Sequence, residues 1–168
     1  QPVPDEARDT MLEGLKAYVA GRLRDEGIGF ADGTLRKLAA IEALARYAQA
    51  TPDMLEALAI TPNQWPTSAL IDYLSILQKL ASVPEREAKL KQAVALLRAR
   101  MDLRGTTLNW SAGTRDDLWW LMVSPDLNAA RALAVLQNVP EMQVELPRIA
   151  RGLMARQKQG HWDLTTAN

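Results

Sequence analysis

Apolar residues recur at steps of three and four along most of this chain, a spacing that fits helices with one buried face and does not fit strands. Between Asp5 and Arg24, Leu12, Leu15, Val19 and Leu23 follow it and predict a first helix. Gly27-Ile28-Gly29-Phe30-Ala31-Asp32-Gly33 then breaks the pattern, and Leu35, Leu38, Ile41, Leu44 and Tyr47 trace a second stripe to about Gln49. Thr51-Pro52-Asp53 predicts a short third helix, with threonine at the N-cap and proline at the first helical position.

Beyond Pro62-Asn63-Gln64-Trp65-Pro66, a fourth helix is expected with Leu70, Tyr73, Leu74, Leu77 and Leu80 on one side. Ser82-Val83-Pro84-Glu85 has the order of a capping box, serine reaching forward and glutamate reaching back. It opens a fifth helix carrying Leu90, Val94, Leu97 and Met101, which the stretch from Gly105 to Gly113 is expected to end as a loop. Thr114-Arg115-Asp116-Asp117 predicts the cap of a short apolar helix with Leu118, Trp119, Leu121 and Met122. Ser124-Pro125-Asp126 starts the next, which runs to about Asn138 and stops near Pro140. In the last stripe, Met142, Leu146, Ile149 and Leu153, Pro147 either interrupts a helix or marks a start at Glu145. Gly160 is expected to close it, and Thr165 or Thr166 to cap a helix beyond.

Composition agrees with an all-α fold: 25 leucines and 26 alanines stand against 14 valines and isoleucines together. The 168 residues suit one domain spanning 1–168, large enough to bury about 70% of its unfolded surface. Twenty basic residues balance twenty acidic ones, so the long-range positive field that gathers nucleic acid or anionic lipid is missing. Neither is an expected partner. No cysteine is present to form a disulfide, a thiolate metal site or a nucleophile. No run of about 18 apolar residues could cross a bilayer, and Gln1-Pro2-Val3-Pro4-Asp5 has none of the regions of a signal peptide.

One further spacing organises the helices. Phe30, Trp65, Trp110 and Trp162 each stand shortly before an expected helix, separated by 35, 45 and 52 residues, and about two helices fit each interval. Trp65-Pro66-Thr67, Trp110-Ser111 and Trp162-Asp163-Leu164-Thr165 share the order tryptophan, hydroxyl residue, helix. The pattern is that of degenerate αα-hairpin repeats, which stack into a solenoid or close into a ring because one pair cannot bury both its faces. Each loop tryptophan is read as a plug between neighbouring pairs, with a ligand platform as the alternative.

Chemistry-bearing patterns are sparse. The loop from Gly27 to Gly33 approaches a dinucleotide fingerprint, but its last glycine is one position late and it follows a helix, so a helix C-cap and turn explain it. His161 is the single histidine and has no partner for a metal site or triad. Asp116 and Asp117 stand where a helix begins, which favours negative charge without catalysis. Asn109-Trp110-Ser111-Ala112-Gly113 lacks the first glycine of a nucleophile elbow, and its first three residues match the glycosylation triplet by chance. Lys89, Lys91, Arg98, Arg100 and Arg104 spread along one helix and its exit as a solvated face does. No catalytic residue, cofactor or metal is expected, and the segment is not read as an enzyme.

Four stretches carry a resemblance: Ala31-Asp32-Gly33-Thr34-Leu35-Arg36-Lys37-Leu38, Trp65-Pro66-Thr67-Ser68-Ala69-Leu70, Leu118-Trp119-Trp120-Leu121-Met122-Val123-Ser124, and Gly160-His161-Trp162-Asp163-Leu164-Thr165-Thr166-Ala167-Asn168. Together they resemble the thioester domain of bacterial alpha-2-macroglobulins, from about residue 10 to the end. The resemblance implies part of an α/α toroid, two rings of stacked αα-hairpins, inside a large periplasmic protease trap anchored to the inner membrane as a lipoprotein. In that family a protease cuts a bait region, the molecule rearranges, and a thioester between a cysteine and a glutamine acylates the attacker. The Cys-x-Glu-Gln motif is missing here. Either it lies upstream of Gln1 or the lineage has lost it, and no thioester residue is carried over.

The expectation is a scaffold piece of a broad-spectrum protease inhibitor, cut from a larger protein. Its partners are then target proteases, met through the whole molecule, and other domains of the same chain, with no direct membrane contact by this segment. Two alternatives stand beside it. One is a helical-repeat interaction scaffold without inhibitor activity. The other is a terpenoid-cyclase-like α/α barrel, which Gly160-His161-Trp162 fits loosely but for which the aspartate-rich motif is absent.

Overall fold

The computed structural model describes residues 4–23, 30–59, 61–110 and 124–161. It is all-α apart from one hairpin, in the order α1 (Asp5–Val19), α2 (Phe30–Arg46), α3 (Pro52–Glu56), α4 (Thr67–Lys79), α5 (Arg86–Ala99), β1 (Met101–Arg104), β2 (Thr107–Trp110), α6 (Pro125–Leu136) and α7 (Leu146–Met154). Single 3₁₀ turns, Pro62–Gln64 and Pro140–Met142, precede α4 and α7. The chain read as one domain gathers into two compact units, one of residues 1–61 and 72–91, the other of 62–71 and 92–168.

In the first unit, α1 packs against α2. α1 buries Leu12 and Val19 but ends there, short of the expected Arg24, so Leu23 is exposed. What stops it is a Schellman motif: Gly21 takes a φ of 72°, its N–H bonds the carbonyl of Tyr18, and the N–H of Arg22 bonds that of Ala17. α2 ends the same way with a less suitable residue, Ala48 at φ 55°, while the N–H of Gln49 bonds the carbonyl of Leu44. The stripe Leu38, Ile41 and Leu44 is fully buried, but Tyr47 falls past the last helical residue and is exposed. Thr51 sits at the N-cap of α3 with Pro52 behind it, although its side chain makes no capping bond.

α4 departs furthest from a one-sided stripe, for every residue from Thr67 to Leu77 is buried. The helix is therefore enclosed, as its low charge allows, with Asp72 and Lys79 its only ionisable residues besides Tyr73. Its end is closed by the next helix: Arg86 donates from Nε to the carbonyl of Leu77 at 2.7 Å and from Nη2 to that of Gln78 at 3.4 Å. A cation there meets carbonyls that have no intrahelical donor and the negative end of the helix dipole. The expected capping box does not form, because α5 begins at Arg86 and Glu85 stands before it at φ 54°, not inside its first turn.

In the second unit, α5 stops at Ala99, and the stretch expected as the end of a helix and a loop is an antiparallel hairpin. Its register pairs Met101 with Trp110, Asp102 with Asn109, Leu103 with Leu108 and Arg104 with Thr107, apolar with apolar and polar with polar. Gly105, at φ 59° in the first place of the two-residue turn, supplies the conformation a tight hairpin demands. α7 packs against β2 and against α6. Ser124 caps α6, its hydroxyl accepting from the N–H of Leu127 at 3.1 Å, with Pro125 at the first position. α7 resolves the proline question in favour of a start, with Glu145 at the N-cap and Pro147 in the first turn, where its missing N–H costs nothing. Met142, Ile149 and Leu153 are buried as expected.

Gly160 does not close α7, which ends at Met154. It forms instead, with Gln159, the two positive-φ residues of a turn across which Lys158 and His161 exchange backbone hydrogen bonds of 2.8 and 3.0 Å. The helix expected around Leu118 to Met122 and the one beyond Thr165 or Thr166 lie outside the described residues.

Candidate functional site

Among the described residues, a chain of polar side chains runs through the interior of the first unit. Glu42 on α2 is 5% exposed. Both its carboxylate oxygens accept from Arg46 Nε at 2.8 Å, one turn further along the same helix. Oε1 also accepts from the hydroxyl of Ser75 on α4 at 2.8 Å, and that oxygen accepts in turn from Lys79 Nζ at 2.8 Å. The hydrogen bond to Glu42 raises the Arg46 guanidinium above its ordinary pKa against the opposing effect of burial, and the charges of Glu42 and of Asp72 add to it.

A serine between a lysine and a carboxylate has the residue types of an activated nucleophile, so access and direction decide what it can do. Ser75 is 3% exposed, its proton is committed to Glu42, and its lone pairs face Lys79. The chain of charge-assisted bonds therefore fastens α2 to α4 and keeps a buried carboxylate compensated. Sequence reading passed over it, although Glu42-x-x-x-Arg46 and Ser75-x-x-x-Lys79 are i, i+4 pairs and Asp72 and Ser75 interrupt an otherwise apolar run.

In the second unit, two ion pairs hold α7 at its ends. Arg98 on α5 meets Glu145 at 2.5 Å, and Arg156 meets Asp126 in the first turn of α6, also at 2.5 Å. Between them Arg151 Nε donates to the carbonyl of Thr106 in the hairpin turn at 3.2 Å. Arg98 thus does more than line a solvated face.

The four repeat-loop aromatics do not share one setting. Trp65 is 6% exposed, directly before α4. Phe30 is the first residue of α2, not a loop residue ahead of it, and Trp110 is the last residue of β2, paired with Met101. Trp162 lies outside the described residues, as do Asp116, Asp117 and residues 27–29 of the glycine-rich stretch. His161 is exposed beside the turn described above. Among the described residues no three of histidine, cysteine, aspartate and glutamate gather as metal ligands would, and no helix is long and apolar enough to cross a membrane.

Compared with known proteins, the chain matches no family model, no curated protein and no solved structure.

Proposed function

We propose that this chain is a scaffold portion of the thioester domain of a bacterial alpha-2-macroglobulin-like protease trap, contributing paired helices to an α/α toroid and no catalytic group. The observation that carries the reading is the packing of consecutive helices as pairs, α1 on α2 and α6 on α7, with Trp65 buried at the foot of an enclosed α4. Pairs of this kind leave faces to be covered by further pairs, which a ring supplies. Its setting in this proposal is a periplasmic lipoprotein whose reactive thioester lies outside the chain.

The test is chemical. The full-length protein incorporates methylamine at a glutamine and releases one thiol, read by mass spectrometry and thiol titration. Intact, freshly purified protein that incorporates none, from a reading frame with no Cys-x-Glu-Gln, sinks the thioester form of the proposal.

A further inference from the structure

The run from Leu146 to His161 carries Arg148, Arg151, Arg156 and Lys158 and no carboxylate, in a chain whose charges balance overall. Arg156 is paired with Asp126, whereas Arg148 and Arg151 have no carboxylate partner among the described residues. Ile149, Gly152 and Leu153 occupy the buried side of α7, which turns Pro147, Arg151, Met154 and Ala155 outward, with Arg148 at the edge of that face. Met154 is 57% exposed, and Val144, just before the helix, is 73% exposed; no other large apolar side chain among the described residues is as open to water.

An exposed apolar residue by itself signifies nothing. These two differ from Met11, Leu23 and Tyr47 in their surroundings: Met154 shares the outward side of α7 with Arg151, whose Nε reaches the carbonyl of Thr106 but no carboxylate, Arg148 stands at the edge of that side, and Val144 lies in the turn just ahead of the helix. We propose that this face of α7 docks an acidic amphipathic helix of a protein partner, whose carboxylates meet Arg148 and Arg151 while its apolar residues cover Met154 and Val144. Charge complementarity selects the occupant. A neutral helix would leave the guanidinium groups unanswered, and a bare polyanion would leave Met154 and Val144 wet. The inference stands apart from the protease-trap reading, since it uses only the surface of α7.

The test titrates the 168-residue protein into a fluorescein-labelled synthetic helix with leucines at i, i+3, i+4 and i+7 and glutamates between them, read by anisotropy. Saturable binding is expected, weakened about tenfold or more by Arg148→Glu with Arg151→Glu, and weakened also by Met154→Ser. Lys89→Glu with Lys91→Glu, the same charge change on α5, leaves it unaltered. Thermal melts check that each variant is folded. No saturable binding, equal losses in the two charge-reversal pairs, or indifference to Met154 overturns the proposal. Binding to vesicles of anionic phospholipid with the same Arg148 and Arg151 dependence, in place of peptide binding, overturns it in favour of a lipid surface.

Discussion

The carboxylate of Glu42 on α2 accepts a 2.8 Å hydrogen bond from the hydroxyl of Ser75 on α4, 33 residues further along the chain. The bond joins two buried groups, so its loss leaves an acceptor partly unsatisfied where water does not reach. Ser75→Ala is expected to cost about 1–2 kcal/mol. Arg46 also serves Glu42, but its side chain is 58% exposed, and Arg46→Ala is expected to cost under about 1 kcal/mol. Urea unfolding at constant m checks the order, and a double-mutant cycle across Glu42 and Ser75 measures their coupling. Equal costs for Ser75 and Arg46 would contradict the clamp.

Two helices end in the same motif with different residues in the left-handed position. Ala48→Gly, at φ 55°, removes a steric penalty and is expected to stabilise the protein by about 0.5–1 kcal/mol after the greater freedom of glycine in the unfolded chain is set against it. Gly21→Ala is expected to destabilise by about 1 kcal/mol, and a Cβ there meets no other residue within 4 Å, so the cost is the strain of the left-handed backbone itself and not a clash with a neighbour. Opposite shifts in thermal midpoint check the pair.

Burial raises the Tyr73 hydroxyl above its ordinary value of 10.0. The folded state therefore holds this proton more tightly than the unfolded chain, and the group contributes no pH dependence below that value. As pH climbs past 10.0, the unfolded chain ionises first and stability falls, by at most about 1.4 kcal/mol per pH unit from this one proton, until the folded value is passed. Denaturant midpoints between pH 8 and 11 should decline less steeply in Tyr73→Phe than in the parent. Identical slopes would remove Tyr73 as the cause.

Trp65 separates a plug from a platform. Buried before α4, it is expected to cost about 3–5 kcal/mol on replacement by alanine, with Trp65→Phe retaining most of the stability. A Trp65→Ala variant that melts with the parent would return the residue to the ligand reading.

Periodicity made most helices legible, because steps of three and four have no other regular explanation. Leu38, Ile41 and Leu44 are buried as their spacing requires, and Ser124-Pro125-Asp126 is a cap and a start because its signals are local. The hairpin was legible too and went unread. Met101, Leu103, Leu108 and Trp110 alternate with polar residues around Gly105-Thr106, a period of two across a two-residue turn.

The sequence by itself determined that the chain is mostly helical, where α3 and α6 lie, and that no cysteine chemistry is available, since these follow from residue type and from contacts a few positions apart; α2 was expected after Gly33 but begins at Phe30. Tertiary structure decided that α4 is enclosed on every side, that Glu42 and Ser75 meet, that Arg86 closes α4, and that Arg98 and Arg156 hold the ends of α7. Each of those depends on which elements come to lie side by side. Helical period specifies which face is buried but not what buries it, so a polar group set in an apolar run finds its partner only once the helices have packed.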